Sequence, residues 1–153
     1  MDGDPLTVNL DPYLCPAGYW TIGWGHVVKS RTGKMLHGYK TKAEAYAMFP
    51  GGITMDEAEL LLKADLVDYE RGVFYYVKNF TLNQFSAMVS LCFNIGIGNF
   101  GKSSVVRHHN AGNYHVAADS FLLWNKARIN GALTPLKGLT NRRKDERALY
   151  QSP

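Results

Sequence analysis

The chain has 153 residues, 46% of them hydrophobic, so it can bury the core of one compact domain and is not disordered. Its 17 basic and 13 acidic residues give a net charge of +4, which favours an anionic partner such as nucleic acid, a membrane surface or a charged polymer. No apolar run approaches the roughly 20 residues of a membrane-spanning helix, and the acidic residues 1–4 are unlike a signal peptide. Two cysteines are too few for a disulfide framework, and no cysteine or histidine spacing suggests zinc.

Residues 1–12 are rich in Asp, Pro and Gly, which predicts an irregular lead-in. A Pro-Ala-Gly turn then feeds the alternating residues Trp20, Ile22 and Trp24, a pattern typical of a half-buried strand after a turn. Glycines at 23 and 25 leave one edge of this strand without side chains, where another backbone or a ligand comes close. The ordinary alternative is a structural hairpin whose threonine, Thr21, satisfies only its own backbone.

A second strand pair is predicted over residues 27–39, turning at residues 30–34, where Gly33 supplies a positive φ. Strands therefore cluster in the first forty residues. A short helix is predicted over residues 41–49, broken by the Pro-Gly-Gly sequence at residues 50–52.

The longest periodic segment begins at Thr54, which forms a capping box with Glu57. Apolar residues then recur at steps of three or four along one face, namely Ala58, Leu62, Leu66, Tyr69, Val73, Val77 and Phe80. A helix of about 25 residues is roughly 37 Å long, more than the width of a small lobe. We therefore predict one domain, residues 1–153, with a β-containing lobe over about 1–53, a bridging helix over 54–80 and a helical lobe over 81–153.

Thr81 and Gln84 form another capping box, which opens a helix that is apolar nearly all round and is predicted to be the central buried helix of the second lobe. Cys92 lies in this run and is expected to be an inert core thiol. Residues 94–100 are predicted to be a glycine-punctuated turn. The Gly-x-Gly pair in this turn is too common to indicate phosphate binding, and no strand precedes it.

Two further helices are predicted, over residues 103–110 and 114–127, the second with Val116, Ala117, Phe121 and Trp124 inward. Histidines at 108, 109 and 115 are predicted to lie on the surface. Adjacent histidines point to different sides of a helix and no carboxylate completes a ligand set, so no metal site is expected.

Residues 130–138 are predicted to be a loop, followed by a final helix from Thr140 with Ala148, Leu149 and Tyr150 as apolar anchors. Four cations within residues 140–147 suit nucleic acid, but only Tyr150 offers a ring for stacking, and two acidic residues there would repel phosphates. We therefore expect intramolecular salt bridges and no nucleic-acid partner.

The run from Cys15 through Thr21 to His26 resembles the active-site hairpin of the phage-type lysozymes, glycoside hydrolase family 24. That family is marked by a glutamate, eight residues, an aspartate or cysteine, five residues, and a threonine that opens a Thr-Ile-Gly-aromatic-Gly-His run. Cys15, Thr21 and the run to His26 match without a gap, but Leu6 stands at the glutamate position and cannot donate a proton. The resemblance spans residues 10–150 and implies an α+β, lysozyme-like fold, with a small β-hairpin lobe joined by a long helix to a mainly helical lobe.

The implied activity is that of a muramidase, which cuts the β-1,4 bond between N-acetylmuramic acid and N-acetylglucosamine in peptidoglycan during phage-induced lysis. Such chemistry needs a proton donor and, on the opposite face of the sugar, a carboxylate or a positioned water. By this resemblance Thr21 would hold the attacking water, and Cys15 would stand at the position of the second carboxylate. A thiol can do this work only as the thiolate.

The ungapped match contains no residue that can act as the general acid. In a second register Asp2-Gly3 stands where the family has Glu-Gly, and Asp11 follows with eight residues between. In the alternative interpretation Asp2, Asp4 and Asp11 are solvated loop residues. The chain is therefore expected to be a weaker enzyme than its relatives, and a degenerate lysozyme fold that binds glycans or serves as a phage structural protein is the alternative.

The resemblance also places Asp65 opposite His26 as a structural ion pair, with a solvated Asp65 as the alternative. It places Phe93 and Asn94 at the wall of the sugar-binding cleft. Expected partners are the glycan strands of peptidoglycan and a holin-type pore that releases a monomeric protein from the host cytoplasm to the cell wall. No cofactor is implied.

Overall fold

The computed structural model describes residues 8–153, and the chain divides into two compact units, one ending at Asp65 and the other beginning at Leu66. The predicted sites at Asp2 and Asp4, and Leu6 at the glutamate position, lie outside the described residues. Each unit has its own buried cluster of apolar side chains.

The first unit contains a three-stranded antiparallel sheet in the order β1-β2-β3, formed by Asn9–Leu14, Trp20–Gly23 and His26–Val27. The predicted hairpin strand is confirmed as β2. The prediction that residues 1–12 are irregular is wrong for residues 9–12, because backbone pairing with β2 extends a segment whose local sequence favours turns. Pro12 is tolerated because β1 is an edge strand, and the register shifts between Asn9 and Tyr13.

Beyond β3, the predicted turn is confirmed: the Ser30 N–H donates to the Lys34 carbonyl at 2.8 Å, and Gly33 has φ 86°. The flanking strands are reduced to isolated bridges, Lys29 with Met35 and Tyr19 with His37. The predicted short helix is α1, Lys42–Met48, after a 3₁₀ turn at Tyr39–Thr41. The core of this unit consists of Trp20, Ile22, Val28, Leu36, Ala45, Ile53 and Ala58.

Helix α2 spans Met55–Tyr76, and the capping box predicted at its start is confirmed by reciprocal bonds of 3.0 and 3.2 Å between Thr54 and Glu57. The boundary between the two units falls within this helix. The helix ends four residues before the predicted Phe80, since a new capping box at Thr81 starts the next helix. Val77 and Phe80 still turn inward and pack in the second cluster.

The second unit contains α3, Leu82–Ile95; α4, Ile97–Lys102; α5, Ser104–Asn110; α6, Tyr114–Ser120; and α7, Lys137–Gln151. A 3₁₀ turn at Phe121–Leu123 follows α6, and β4, Lys126–Ile129, pairs antiparallel with β5, Ala132–Pro135. The predicted capping box of α3 and the burial of Cys92 are confirmed.

Three predicted boundaries in this unit are wrong. Residues 94–100 are not a turn, because only Gly96, with φ 92°, interrupts the helices and α4 begins at the next residue. The helix predicted over 114–127 stops at Ser120, and Val116 is 45% exposed instead of inward. The predicted loop 130–138 contains a two-residue turn, at Asn130 and Gly131 with φ 50° and 82°, then strand β5 and the first two residues of α7.

Two predictions about side-chain burial are also wrong: the surface position of His109, and Ala148 and Leu149 as apolar anchors of the last helix. His109 is 2% exposed, with Nδ1 2.6 Å from the Tyr150 hydroxyl oxygen and Nε2 2.5 Å from the Asn79 carbonyl oxygen. Helix α7 begins at Lys137, three residues earlier than predicted, and its buried residues are Arg143, Glu146 and Tyr150. Ala148 and Leu149 are exposed, because the face that packs inward carries an ion pair, which an apolar pattern does not reveal.

Helices α2 and α4 approach each other closely through two glycines of the second unit. A Cβ on Gly72 would lie 3.1 Å from the side chain of Ile97, and a Cβ on Gly101 would clash with the ring of Tyr76. Each glycine therefore receives a large side chain from the opposite helix.

Candidate active site

The predicted catalytic pair is carried by the β1-β2 hairpin. Tyr13 lies opposite Thr21, and the turn is closed by the Cys15 N–H bonding the Tyr19 carbonyl at 2.9 Å and the Gly18 N–H bonding the Cys15 carbonyl at 2.8 Å. Gly18 has φ 87°, a conformation that glycine adopts without strain. Cys15 therefore opens the turn, and Thr21 is the second residue of β2.

Strand alternation places Cys15 and Thr21 on one face of the hairpin and Trp20 and Ile22 on the other, where they join the core. Residues in this diagonal relation on neighbouring strands are about 7 Å apart. Cys15 is half-buried and Thr21 is 4% exposed. The Thr21 hydroxyl donates to the Tyr19 carbonyl at 3.0 Å, so it is free to accept a hydrogen bond from water.

Asp11 lies on β1, where its side chain is exposed. A Cβ on Gly52 would fall 2.7 Å from Asp11 Oδ1, so this carboxylate rests against a glycine backbone. Within residues 8–153 no hydrogen bond or ion pair joins Asp11 to Cys15 or Thr21.

His26 and Asp65 meet within the first unit. Nδ1 of His26, on β3, lies 2.8 Å from Oδ2 of Asp65, on α2, and each side chain is about one-quarter exposed, at 24% and 23%. The ring of Phe49 contacts the imidazole edge to face, with centroids 6.5 Å apart. This contact ties the motif that follows Thr21 to the long helix.

Replacing His26 by Asn or Asp65 by Asn is expected to lower the free energy of unfolding by about 1 kcal/mol each, because each change removes a half-buried hydrogen bond. The double variant should cost less than the sum, since both single changes remove the same contact. Urea unfolding measures all three. Asp68→Asn, an exposed carboxylate on the same helix, is the control; strictly additive losses would mean that the two groups do not interact.

Phe93 and Asn94, the predicted sugar contacts, are both half-buried in the last turn of α3. The Phe93 ring packs against Tyr69 at a centroid distance of 5.1 Å and an interplanar angle of 70°. Asn94 Oδ1 accepts a 2.7 Å hydrogen bond from Nη1 of Arg143 on α7. Both side chains are thus held by neighbours within the second unit.

Behind Asn94 lies a buried charged cluster whose burial the sequence analysis missed. Arg143 is fully buried, and its Nη2 donates to Glu146 Oε2 at 3.0 Å, while Nε lies 2.7 Å from Oε1 of the same carboxylate. Ser90 donates to Glu146 Oε2 at 2.5 Å. Burial lowers the pKa of Arg143 and the charge of Glu146 opposes this, so the guanidinium remains a cation. The expected salt bridges of this helix are present, including Arg147 with Asp119 at 2.7 Å.

Across residues 8–153 no group of three or more His, Cys, Asp or Glu side chains is arranged to hold a metal ion. Both cysteines are free thiols. None of the helices in this part of the chain is long and apolar enough to cross a membrane.

Comparison with known proteins bears on both the fold and the hairpin motif. The family model for phage lysozyme matches residues 7–146. The endolysin of Acyrthosiphon pisum secondary endosymbiont phage 1 is 35% identical over 146 residues, which cover 95% of this chain and 88% of that protein.

Two solved structures are similar over nearly the whole chain. The muramidase domain of SpmX from Asticaccaulis excentricus gives a TM-score of 0.75 at 34% identity, covering 96% of this chain and 89% of that one. The endolysin from Escherichia coli O157:H7 phage FAHEc1 gives 0.76 at 31% identity, covering 98% and 89%. The predicted α+β, lysozyme-like fold is confirmed by these similarities. The chain belongs to the phage lysozyme family.

Proposed function

We propose that this chain is a peptidoglycan hydrolase, a muramidase that cleaves the β-1,4 bond between N-acetylmuramic acid and N-acetylglucosamine during phage-induced lysis. The observation that carries the proposal is the hairpin that presents Cys15 and Thr21 on one face, in a chain of the phage lysozyme family. Similar proteins named endolysin and muramidase support the same reaction.

In the proposed reaction a general acid protonates the leaving glycosidic oxygen as the bond to the anomeric carbon breaks. Thr21 accepts a hydrogen bond from the attacking water. This bond directs a lone pair of the water oxygen at the anomeric carbon. The Cys15 thiolate takes the proton that the water loses, or attacks the carbon first and is displaced by water in a second step. The first route inverts the configuration at the anomeric carbon and the second retains it.

The acid is assigned to Asp2 or Asp11. Asp11 is exposed, and an aspartate is one methylene shorter than a glutamate. A displacement of 1 Å at a reacting group can cost on the order of a hundredfold in rate. Hydrolysis by this chain is therefore expected to be slower than that of relatives with a glutamate at the position of Leu6.

Replacing Asp2, Asp4 and Asp11 together by asparagine is expected to lower the rate of hydrolysis about a hundredfold or more, since general acid catalysis contributes that much. New reducing ends released from purified peptidoglycan measure the rate, and the two single variants Asp2→Asn and Asp11→Asn identify the acid. Asp145→Asn, an exposed change on α7, is the control. Full activity of the triple variant would place the acid elsewhere.

A second candidate function is glycan binding without cleavage, favoured by Leu6 standing where the family has its glutamate. Pulldown on the peptidoglycan used in the hydrolysis assay separates the two functions. Retention on peptidoglycan with no new reducing ends selects the binding function, and release of reducing ends selects the enzyme.

We further propose that the chain acts as a single lysozyme-like domain over residues 1–153 and as a monomer, which gel filtration would test. The substrate lies outside the inner membrane, so we infer a holin-type partner that forms a pore and releases the protein from the host cytoplasm. Expression with and without such a pore protein, followed as culture turbidity, tests this: lysis that is equally fast without the pore would reject it.

A further inference from the structure

The C-terminal end of α2 and the first turn of α3 carry three large apolar side chains that lie mostly in solvent. Phe74 is 69% exposed, Tyr75 80% and Leu82 79%. Phe74 meets the half-buried ring of Phe80 edge to face at a centroid distance of 5.9 Å, and Phe80 stacks on Phe85 at 4.8 Å. Because Phe85 lies one helical turn after Leu82, this row of rings connects Phe74 to Leu82. We call Phe74, Tyr75 and Leu82 the apolar patch.

The surroundings of the apolar patch are basic. Arg71 lies one turn before Phe74 on α2, Lys78 follows two residues after the helix ends, and both cations are exposed. Residues 71–118 contain no Asp or Glu and four Lys or Arg. The carboxylate of Glu70 also lies one turn before Phe74, and Arg71 beside it supplies the opposite charge. The patch is therefore an apolar surface bordered by positive charge.

The size and charge of the apolar patch indicate what covers it. At roughly 200 Å² per side chain, its exposed fractions amount to on the order of 450 Å², about half of the roughly 800 Å² that each partner buries in a standard protein interface. A second copy of this chain would also bring its own Arg71 and Lys78 towards these cations across a two-fold axis. A bilayer needs no such area, because single apolar side chains enter the headgroup boundary while Lys and Arg bind anionic lipids.

We propose that the apolar patch docks on a membrane surface that contains anionic lipid. Its three side chains enter the headgroup boundary, and Arg71 and Lys78 contact the lipid phosphates. The Tyr75 ring is buried there while its hydroxyl stays in the polar layer, as is typical of aromatic residues at membrane interfaces. The patch belongs to the second unit and the catalytic hairpin to the first, so docking does not rest on the proposed hydrolysis.

Cosedimentation of the full chain with sucrose-loaded vesicles measures the partition coefficient. Mixed vesicles of phosphatidylglycerol and phosphatidylcholine should bind the chain at least about tenfold more strongly than phosphatidylcholine alone, since each cation near an anionic surface contributes about fivefold. No binding to the mixed vesicles would overturn the proposal.

The apolar contribution is tested by Phe74→Ser, which should lower binding to the mixed vesicles about tenfold, because burial of one such side chain contributes at least that much. Leu82→Gln keeps the contact between Phe74 and Phe80 and should act in the same direction. Leu123→Ser, at a position that is 64% exposed in the 3₁₀ turn after α6, is the matched control and should bind as the unaltered protein does. Equal losses for Phe74→Ser and Leu123→Ser would place the membrane contact elsewhere and overturn the proposal.

The charged contribution is tested by Arg71→Gln with Lys78→Gln, which should lower binding to the mixed vesicles about 25-fold and leave binding to phosphatidylcholine unchanged. Lys126→Gln with Lys137→Gln removes the same charge from two exposed positions of the second unit and is the control. Equal losses for the two double variants would mean that net charge alone attracts the chain, and would overturn the docking site. A dimer in analytical ultracentrifugation that Phe74→Ser converts to a monomer would also overturn it, because a second copy then covers the patch. The readout is binding, so it stands whether or not the chain hydrolyses peptidoglycan.

Discussion

Replacing Glu146 by glutamine is expected to lower the free energy of unfolding by about 3 kcal/mol, because it leaves the Arg143 cation buried without its counter-charge. Arg143 is 0% exposed and Glu146 5%, so water cannot take over the lost interaction. Gln can still accept a hydrogen bond, and the loss therefore reports the charge and not the shape of the side chain. Urea unfolding followed by tryptophan fluorescence measures it.

The matched control is Asp119→Asn, which removes the partner of Arg147 in an ion pair whose side chains are 33% and 50% exposed. That change should cost less than about 1 kcal/mol, since exposed ion pairs contribute little. Replacing Arg143 by Met together with Glu146 by Leu should restore part of the stability that Glu146→Gln loses, because the buried Arg143 cation is then removed together with its counter-charge. A loss below 1 kcal/mol for Glu146→Gln would show that this carboxylate does not stabilise the buried guanidinium.

The second large effect is expected at Cys15. Cys15→Ala should slow the release of reducing ends by about a hundredfold or more, because the base or nucleophile is removed while the fold is kept. Cys15→Asp should retain much of the activity, since the family pattern accepts aspartate at this position. The Cys15 side chain is small and only partly buried, so both variants should unfold at nearly the same urea concentration as the unaltered protein.

Cys92 provides the internal control for this prediction. Its thiol is fully buried, and burial raises its pKa to about 12, so it stays protonated and unreactive at pH 8. Iodoacetamide at pH 8 should therefore label Cys15, spare Cys92 and stop hydrolysis, as followed by peptide mass spectrometry. Full hydrolysis by protein alkylated at Cys15 would contradict the proposed role.

The starts of α2 and α3 were predictable because their signals are local. Thr54 with Glu57, and Thr81 with Gln84, satisfy free backbone groups within four residues, and both boxes form as expected. The hairpin at Cys15 was predictable for a similar reason, since turn residues and alternation lie in one short run. Its catalytic roles came from the family resemblance and not from the pattern.

What the sequence did not reveal depends on partners far along the chain. His109 is buried because Tyr150 and the Asn79 carbonyl satisfy both of its ring nitrogens, and nothing near residue 109 indicates either partner. Arg143 reads as a surface cation until Asn94 and Glu146 are placed around it. The Asn130-Gly131 pair, by contrast, is a strong local signal for a hairpin turn. The prediction of a loop over residues 130–138 did not use this signal.

The proposed acids, Asp2 and Asp11, come from the family spacing and not from the geometry of the hairpin. Asp11 was a candidate by spacing alone, and spacing along a chain does not determine burial, which is what sets the protonation of a carboxyl group. The asparagine variants distinguish the two registers, in which either Leu6 or Asp2 stands at the glutamate position.

The paired glycines between α2 and α4 have an evolutionary consequence. A methyl group on Gly72 needs space that Ile97 occupies, and one on Gly101 needs space that the Tyr76 ring occupies. Side-chain sizes at 72 and 97 should therefore change together among natural relatives, as should those at 76 and 101. An alanine at either glycine should be accompanied by a smaller residue across the contact, and this pattern of paired substitution would identify relatives that keep the same spacing between the two helices.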